Sequence, residues 1–292
     1  MELRQLKYFL KAQALLNFTE AAQSLQISQS TLSQQIKQLE IELDTPLFNR
    51  SGRNIVLTEA GKLFKEFAQQ CVGQAEAGML MMGDLKNLRA GKISIGVSFG
   101  LKDYFIPALL AFAQQYPQVS VHVIYEPSHT LLERLAQFEL DFILTFHEDV
   151  MEPIFHYEHL FYTPMVLATA SHSPIAKRKH ISLEEIATLP IAIATMGYHA
   201  GHTVSKAFQE RQLQPAISIE VNDVPTVLDI VRTGNWHSIM VKTCVHGPGV
   251  AAIPINNGNL LRNTQIISLE AAYETKAAAT FKQIIKNLPL LE

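Results

Sequence analysis

Residues 18–50 read FTEAAQSLQISQSTLSQQIKQLEIELDTPLFNR, and the placing of apolar side chains in this stretch decides the architecture of the amino-terminal region. Leu32, Ile36, Leu39 and Leu43 recur at steps of four, three and four, which puts them on one face of a helix. Gln26-Ile27-Ser28 just before it is long enough only for a tight turn, with Ser28 placed to cap the helix that follows. A shorter helix precedes the turn, from a cap at Thr19 through Leu25, and its small Ala21-Ala22 pair lets it sit close to its neighbour. Upstream, Leu3, Leu6 and Leu10, with Phe9 alongside, mark another helix ending near Gln13. Three helices of this size joined by one tight turn predict a helix-turn-helix unit.

The outward face of the third helix begins Gln29, Ser30, Ser33, Gln34 and Lys37, all polar and at helical spacing. Gln34 can offer its amide to the N6 and N7 edge of adenine, and Lys37 can reach a phosphate or a guanine. Ser28, Gln29 and Ser30 stand at a helix N-terminus, where backbone N–H groups favour a phosphate oxygen. On an isolated amphipathic helix such a face would be read as merely solvated. The next segment changes that reading. Two short extended runs flank Ser51-Gly52, and each carries an arginine, Arg50 and Arg53, which predicts a β-hairpin wing able to grip phosphates or enter the minor groove. Charge alone would not have suggested DNA. Residues 1–62 hold seven Lys or Arg and six Asp or Glu, a net of +1, and the whole chain is −3.

These motifs, together with LTEAG at residues 57–61, resemble the amino-terminal signature of the LysR-type transcriptional regulators across residues 3–62. One departure is Asp44, where the family usually has a glycine ending the recognition helix. That position needs a left-handed backbone, which Asp tolerates better than most residues. The resemblance implies a regulator with a winged helix-turn-helix at 1–58, a linker helix at 59–89 and an effector-binding domain at 92–292.

Thr58 is a good N-cap with Glu59 in the first turn, and no proline follows until Pro107, so 59–89 can form one long helix. Phe64, Phe67, Cys71, Gly78, Met82 and Leu85 give it a seam of mostly apolar or small residues, with Cys71 as a small buried apolar member. A lone helix with this face would be unsatisfied, which predicts dimerisation. The resemblance implies the same pairing, assembly to a homotetramer through the effector domains, binding to an interrupted inverted repeat in double-stranded DNA, and a contact with RNA polymerase. Ala90-Gly91 reads as a hinge.

From Lys92 the pattern becomes strands alternating with helices, and predicts an α/β arrangement with parallel strands. Strands are expected at 93–97, 119–125, 141–146, 166–169, 191–195, 217–221, 238–242, 251–255 and 266–269. Helices are expected at 101–115, 129–138, 203–212, 224–233 and 276–287. The resemblance extends here through LDFILTF and PTVLDIVRTGNWHSIMV, and implies a two-lobed, periplasmic-binding-protein-like domain. Lobe I would be 92–163 with 266–292, lobe II 164–265, and a small effector would bind between them. Parallel α/β sheets bind ligands beyond their strand C-termini. The polar groups expected at those ends are Ser98, Phe99 and Gly100; Ser128, His129 and Thr130; Thr195, Met196, Gly197 and Tyr198; and Asn222. Helix starts of this kind favour an anion, so the effector is expected to be a small carboxylate.

Three rival readings draw on the same region. Gly96-Val97-Ser98-Phe99-Gly100 matches the G-x-S-x-G of a hydrolase nucleophile elbow, yet it follows the first strand of its domain, and no earlier strand-loop can supply the second oxyanion donor. No catalytic residue is therefore assigned. His199 and His202 could share one helical face, with His237 or His246 in reach of a metal ion, although ordinary cap and surface histidines remain open and no metal or cofactor is assigned. Trp236 and His237 either line the pocket or fill lobe II. Cys71 and Cys244 make no disulfide framework, which suits a reducing compartment, and they fall in different domains, which argues against a redox pair. With no signal peptide and no bilayer-length apolar run, a cytoplasmic location is expected.

Overall fold

The computed structural model describes residues 1–51, 54–84, 91–147, 151–194, 199–256 and 260–289; for 50, 51, 54, 80, 83, 84 and 199–203 it describes the backbone alone. The chain divides into two compact units, Met1–Asn87 with Ala136–Glu139, and Leu88–Leu135 with Leu140–Glu292.

The first unit opens with helices α1 (Leu3–Leu15), α2 (Phe18–Ser24) and α3 (Gln29–Glu42). Phe9, Ala12, Ala21, Leu32, Ile36 and Leu39 are fully buried where the three helices meet, the expected faces packed inward. Leu43 is half-buried. Asn17, not Thr19, caps α2: its Oδ1 accepts the N–H groups of Thr19 and Glu20 at 3.0 and 3.2 Å. Asn is among the strongest caps, and a start two residues earlier lets Phe18 enter the core. Ser28 caps α3 as expected, accepting from the Thr31 N–H at 3.1 Å. Asp44 follows α3 with φ +48°, the left-handed conformation expected there.

The wing is a hairpin of β1 (Phe48–Ser51) and β2 (Asn54–Leu57), with Phe48 opposite Leu57 and Arg50 opposite Ile55. Glu40 reaches over from α3 to accept the backbone N–H groups of Leu47 and Phe48 at 2.8 and 3.0 Å, pinning the base of the wing. α4 (Glu59–Asp84) begins under Thr58, which accepts from Gly61 N–H at 2.9 Å and donates to the Pro46 carbonyl at 2.7 Å. The expected continuation of this helix over 85–89, and the hinge at Ala90, lie outside the described residues. Within α4, Phe64 packs its ring 5.2 Å from Phe9 and belongs to the inner face with Ala68 and Val72. The outer face carries Leu63, Phe67, Cys71, Gly78 and Met82, all exposed. Of the seam read from sequence, Phe64 therefore sits on the wrong side and Leu63 takes its place. Cys71 is exposed within the chain rather than buried.

The second unit runs β3 (Gly91–Val97), a 3-10 turn at Phe99–Leu101, α5 (Lys102–Gln115), β4 (Val119–Tyr125), α6 (Ser128–Ala136) and β5 (Phe142–Phe146). It continues with β6 (Phe155–Ala170), α7 (Leu183–Ile186), β7 (Pro190–Ala194), α8 (His199–Glu210), β8 (Ala216–Val221) and α9 (Val224–Arg232). It closes with β9 (Ser238–Val241), β10 (Val250–Pro254), β11 (Leu261–Leu269) and α10 (Lys276–Lys286). Strands β3, β4 and β5 pair in parallel, as do β7 and β8. Every described pairing of β6, and that of β11 with β5, is antiparallel, which corrects the all-parallel expectation. The sheet order is β10-β6-β11-β5-β3-β4, with β9 on β6.

β6 starts at Phe155, well before the expected position. Pro164 reads as a break in sequence, because proline cannot donate to a ladder. In the fold it stands where β6 exchanges partners: residues 155–164 pair with β11, and 165–170 with β9 and β10. That exchange divides the unit into two lobes. α5 and α10 cover one side of the first, stacking Phe105 on Phe281 at 5.6 Å. Asp141 ties β5 to β3 by accepting the Ser94 N–H at 2.7 Å.

Candidate functional site

Two surfaces carry the polar side chains singled out by the sequence. On the first unit, Ser28, Gln29, Ser30, Gln34 and Lys37 are exposed along α3, and Ser33 is half-exposed. Ser28 is committed to the helix itself: besides its cap it lies 2.8 Å from Ser30 Oγ and 2.7 Å from Thr31 Oγ1. Gln29 Nε2 donates to Ser33 Oγ at 3.0 Å. Gln34 and Lys37, one turn further on, project from the face opposite the buried Leu32 and Ile36. Arg50 lies on β1 with its backbone described, and Arg53 lies outside the described residues.

In the second unit a cavity of about 130 Å³ opens at the C-terminal ends of β3, β4 and β5. Ser98, Phe99, Gly100 and Ser128 line it, as expected. The Ser98 and Ser128 hydroxyls are buried and meet a third, Thr145, which the sequence reading missed. Ser98 Oγ lies 2.6 Å from Thr145 Oγ1, Thr145 donates to Ser128 Oγ at 2.7 Å, and Ser98 and Ser128 are 3.3 Å apart. Thr145 sits in FILTF, an apolar strand buried along its whole length, where a hydroxyl has to find a partner; that demand is the sequence signal for it. The Ser98 N–H already bonds the Leu144 carbonyl at 2.9 Å and so is not part of the expected backbone anion cradle. Gly100 presses against the opposite wall. A Cβ there would stand 2.8 Å from Val241 Cγ2 and 3.0 Å from Phe146 Cε2.

His129 and Asn222 are exposed and lie outside the lining of the cavity, as does Thr130, whose hydroxyl meets His129 Nε2 at 3.2 Å. They occupy the expected helix starts without reaching the lining of the cavity. Thr195, Met196, Gly197 and Tyr198 lie outside the described residues. Two further polar residues of the wall were not foreseen. Arg262, 1% exposed, holds its guanidinium carbon 5.1 Å from the centre of the Phe146 ring. Ser238, also 1% exposed, has a hydroxyl with no hydrogen-bond partner among the described residues. Most of the remaining wall is apolar and comes from β7, α8, β8, α9 and β9, including Ile191, Ile193, Phe208, Val227 and Ile239, with Ser205 and Glu220 as its polar members.

The rival chemistries find no support in this geometry. The Ser98 hydroxyl is partnered by two other hydroxyls rather than by a histidine, so no base is placed to activate it. His237 is buried against Thr169, its Nδ1 2.9 Å from Thr169 Oγ1, and burial lowers its pKa. It fills the lobe instead of lining the cavity. His246 pairs with Asp103 at 2.9 Å. The side chains of His199 and His202 lie outside the described residues, and among the described ones no group of metal-ligating side chains gathers. Cys244 is buried, and burial, with a smaller contribution from the Asp103 charge, pushes its thiol up to about 12, far from a reactive thiolate.

Comparison with known proteins gives the family of each domain. Residues 3–62 match the family model for the bacterial regulatory helix-turn-helix protein, lysR family, and residues 86–289 match that for the LysR substrate binding domain. The chain belongs to the LysR family of DNA-binding transcriptional regulators with an effector-binding domain. It is 30% identical over 287 residues to the HTH-type transcriptional regulator YybE of Bacillus subtilis, covering 98% of each chain. It is 28% identical over 271 residues to the transcriptional activator CmpR of Synechocystis, covering 91% of this chain and 88% of the other. In fold it is similar to a full-length OxyR variant of Pseudomonas aeruginosa, with a TM-score of 0.79 at 23% identity over 98% and 95% of the two chains. It is also similar to full-length CbnR complexed with its target DNA, with a TM-score of 0.67 at 22% identity over 98% and 99%. Among the described residues no helix is long and apolar enough to cross a membrane.

Proposed function

We propose that this regulator reads its operator through Ser28, Gln29, Ser30, Ser33, Gln34, Lys37, Arg50 and Arg53, and that a small carboxylate bound between its lobes controls it. The observation that carries the DNA reading is the exposed polar face of α3 above a fully buried apolar one, within a three-helix unit that ends in a wing. Gln34 reads a base edge, Ser28 and its neighbours orient the helix on the backbone, and the wing arginines hold phosphate. The effector sits against Ser98, Phe99, Gly100 and Ser128, with Thr145 holding the two serine hydroxyls in place. Arg262 adds buried positive charge to the same wall, which favours an anion.

Of the expected lobes, I at 92–163 with 266–292 and II at 164–265, the same reading keeps the first boundary and moves the second forward to Leu261, from which β11 pairs with the first half of β6. The exchange of partners along β6 supports the first boundary. Two copies pair through the exposed apolar face of α4 and assemble to a homotetramer in the cytoplasm, where effector binding alters the DNA or the contact with RNA polymerase. For that to happen the effector must bind one arrangement better than another. Footprinting with purified protein tests the assignment. Arg53→Ala should weaken binding on all sequences alike, whereas Gln34→Ala should relax preference at one base pair by about 1–3 kcal/mol. Parental footprints from both variants would show that the recognition helix and wing are misplaced.

A further inference from the structure

The wall of the cavity is sharply divided. Its polar groups belong to the turns after β3 and β4 and to the start of β11. Among the described residues, the side formed by β7, α8, β8, α9 and β9 is apolar apart from Ser205, the exposed Glu220 and the single buried hydroxyl of Ser238. Building on the effector reading above, we infer that the ligand is a monoanion with a compact apolar body about the size of one benzene ring. Its charged head lies at Ser98, Ser128 and Arg262, and its body is packed against Ile191, Ile193, Phe208, Val227 and Ile239.

Size supports this reading. A cavity of about 130 Å³ is close to the ~150 Å³ of an engineered apolar cavity that takes benzene, so one ring or a branched chain fills it. Charge supports it too. A second carboxylate at the far end of the ligand would meet aliphatic side chains, and Glu220, the charged group described on that side, is itself negative. Burying a charge there without a partner is strongly unfavourable. The unsatisfied Ser238 hydroxyl gives the body's side of the wall one hydrogen bond to offer, enough for a neutral polar substituent and far short of what a second anion needs. Specificity thus lies in the apolar side. The hydroxyl triad would accept many acids, and the wall opposite rejects those without a body to fill it.

The test is titration calorimetry on the full-length protein with two sets of probes. One is a ladder of acetate, isobutyrate, 4-methylvalerate and benzoate; the other comprises succinate, glutarate and glycerate. The expected result is affinity rising about fourfold with each added methylene, in line with ~0.8 kcal/mol per buried CH₂, until the cavity is full. Ile193→Ala should flatten that rise, and Ile193→Asp should abolish benzoate binding; Ile193 is only half-buried, so the fold can bear either change. If succinate, glutarate or glycerate binds more tightly than the ladder and the binding is lost in Ser98→Ala, the inference is overturned while the effector site stands. If neither set binds, the effector reading falls and takes the inference with it.

Discussion

The recognition surface and the effector cavity are built in opposite ways. The polar face of α3 lies on one helix, within a few turns of sequence, and its side chains are exposed above a core that does not depend on them. The cavity gathers residues from Ser98 to Arg262, contributed by most of the strands and helices of its unit, and the key ones are almost wholly buried. A surface written on one helix tolerates change at each position separately. A surface assembled from many strand ends carries its recognition in its packing.

That contrast can be broken or sharpened by mutation. The largest effect is expected from Ile36→Ala, which opens a hole in a fully packed three-helix core and should cost about 2–5 kcal/mol. Thermal unfolding should show the amino-terminal unit melting early with DNA binding lost, while ligand titration of the cavity is unchanged. If both functions fail together, the two surfaces are not separate in the sense argued here. A smaller effect is expected from Gly100→Ala, because its Cβ would crowd Val241 and Phe146 and force the cavity wall to shift. Overpacking of this kind costs about 1–3 kcal/mol, read as weakened effector binding with the operator footprint unchanged. The smallest is Asp44→Gly. Relief of a left-handed backbone at φ +48° should stabilise the protein by about 1 kcal/mol or less in urea denaturation, with neither function altered.

The same contrast explains what could be read in advance. The three-helix unit was legible because periodicity, caps and turn residues are local signals. The left-handed residue after α3 was placed by the family resemblance, in which a glycine usually stands at that position. Where that reading slipped, a local competitor had won: Asn17 outranked Thr19 as a cap. Glu40 binds the wing backbone across seven and eight residues, a link that periodicity does not detect. For the cavity, the strand-end turns gave Ser98, Phe99, Gly100 and Ser128. Thr145, Ser238 and Arg262 come from strand interiors and edges, and only the pairing of distant strands shows where they face. His129 and Asn222 have the right sequence positions, but a helix start presents one side to the ligand and the other to solvent, and sequence does not say which. Pro164 hid the first half of β6 for a related reason, since its missing N–H falls at a change of partner.

The long strand β6 has a mechanical consequence. At ~3.3 Å per residue its sixteen residues form a beam about 50 Å long, clamped to one lobe by its first ten residues and to the other by its last six. Bodies hung on coil can swing through wide angles at little cost. Bodies fixed to opposite ends of one hydrogen-bonded beam can only bend or twist it, and each increment works against the ladder on both sides. Such a joint behaves as a spring, returning to its resting angle when the load is removed.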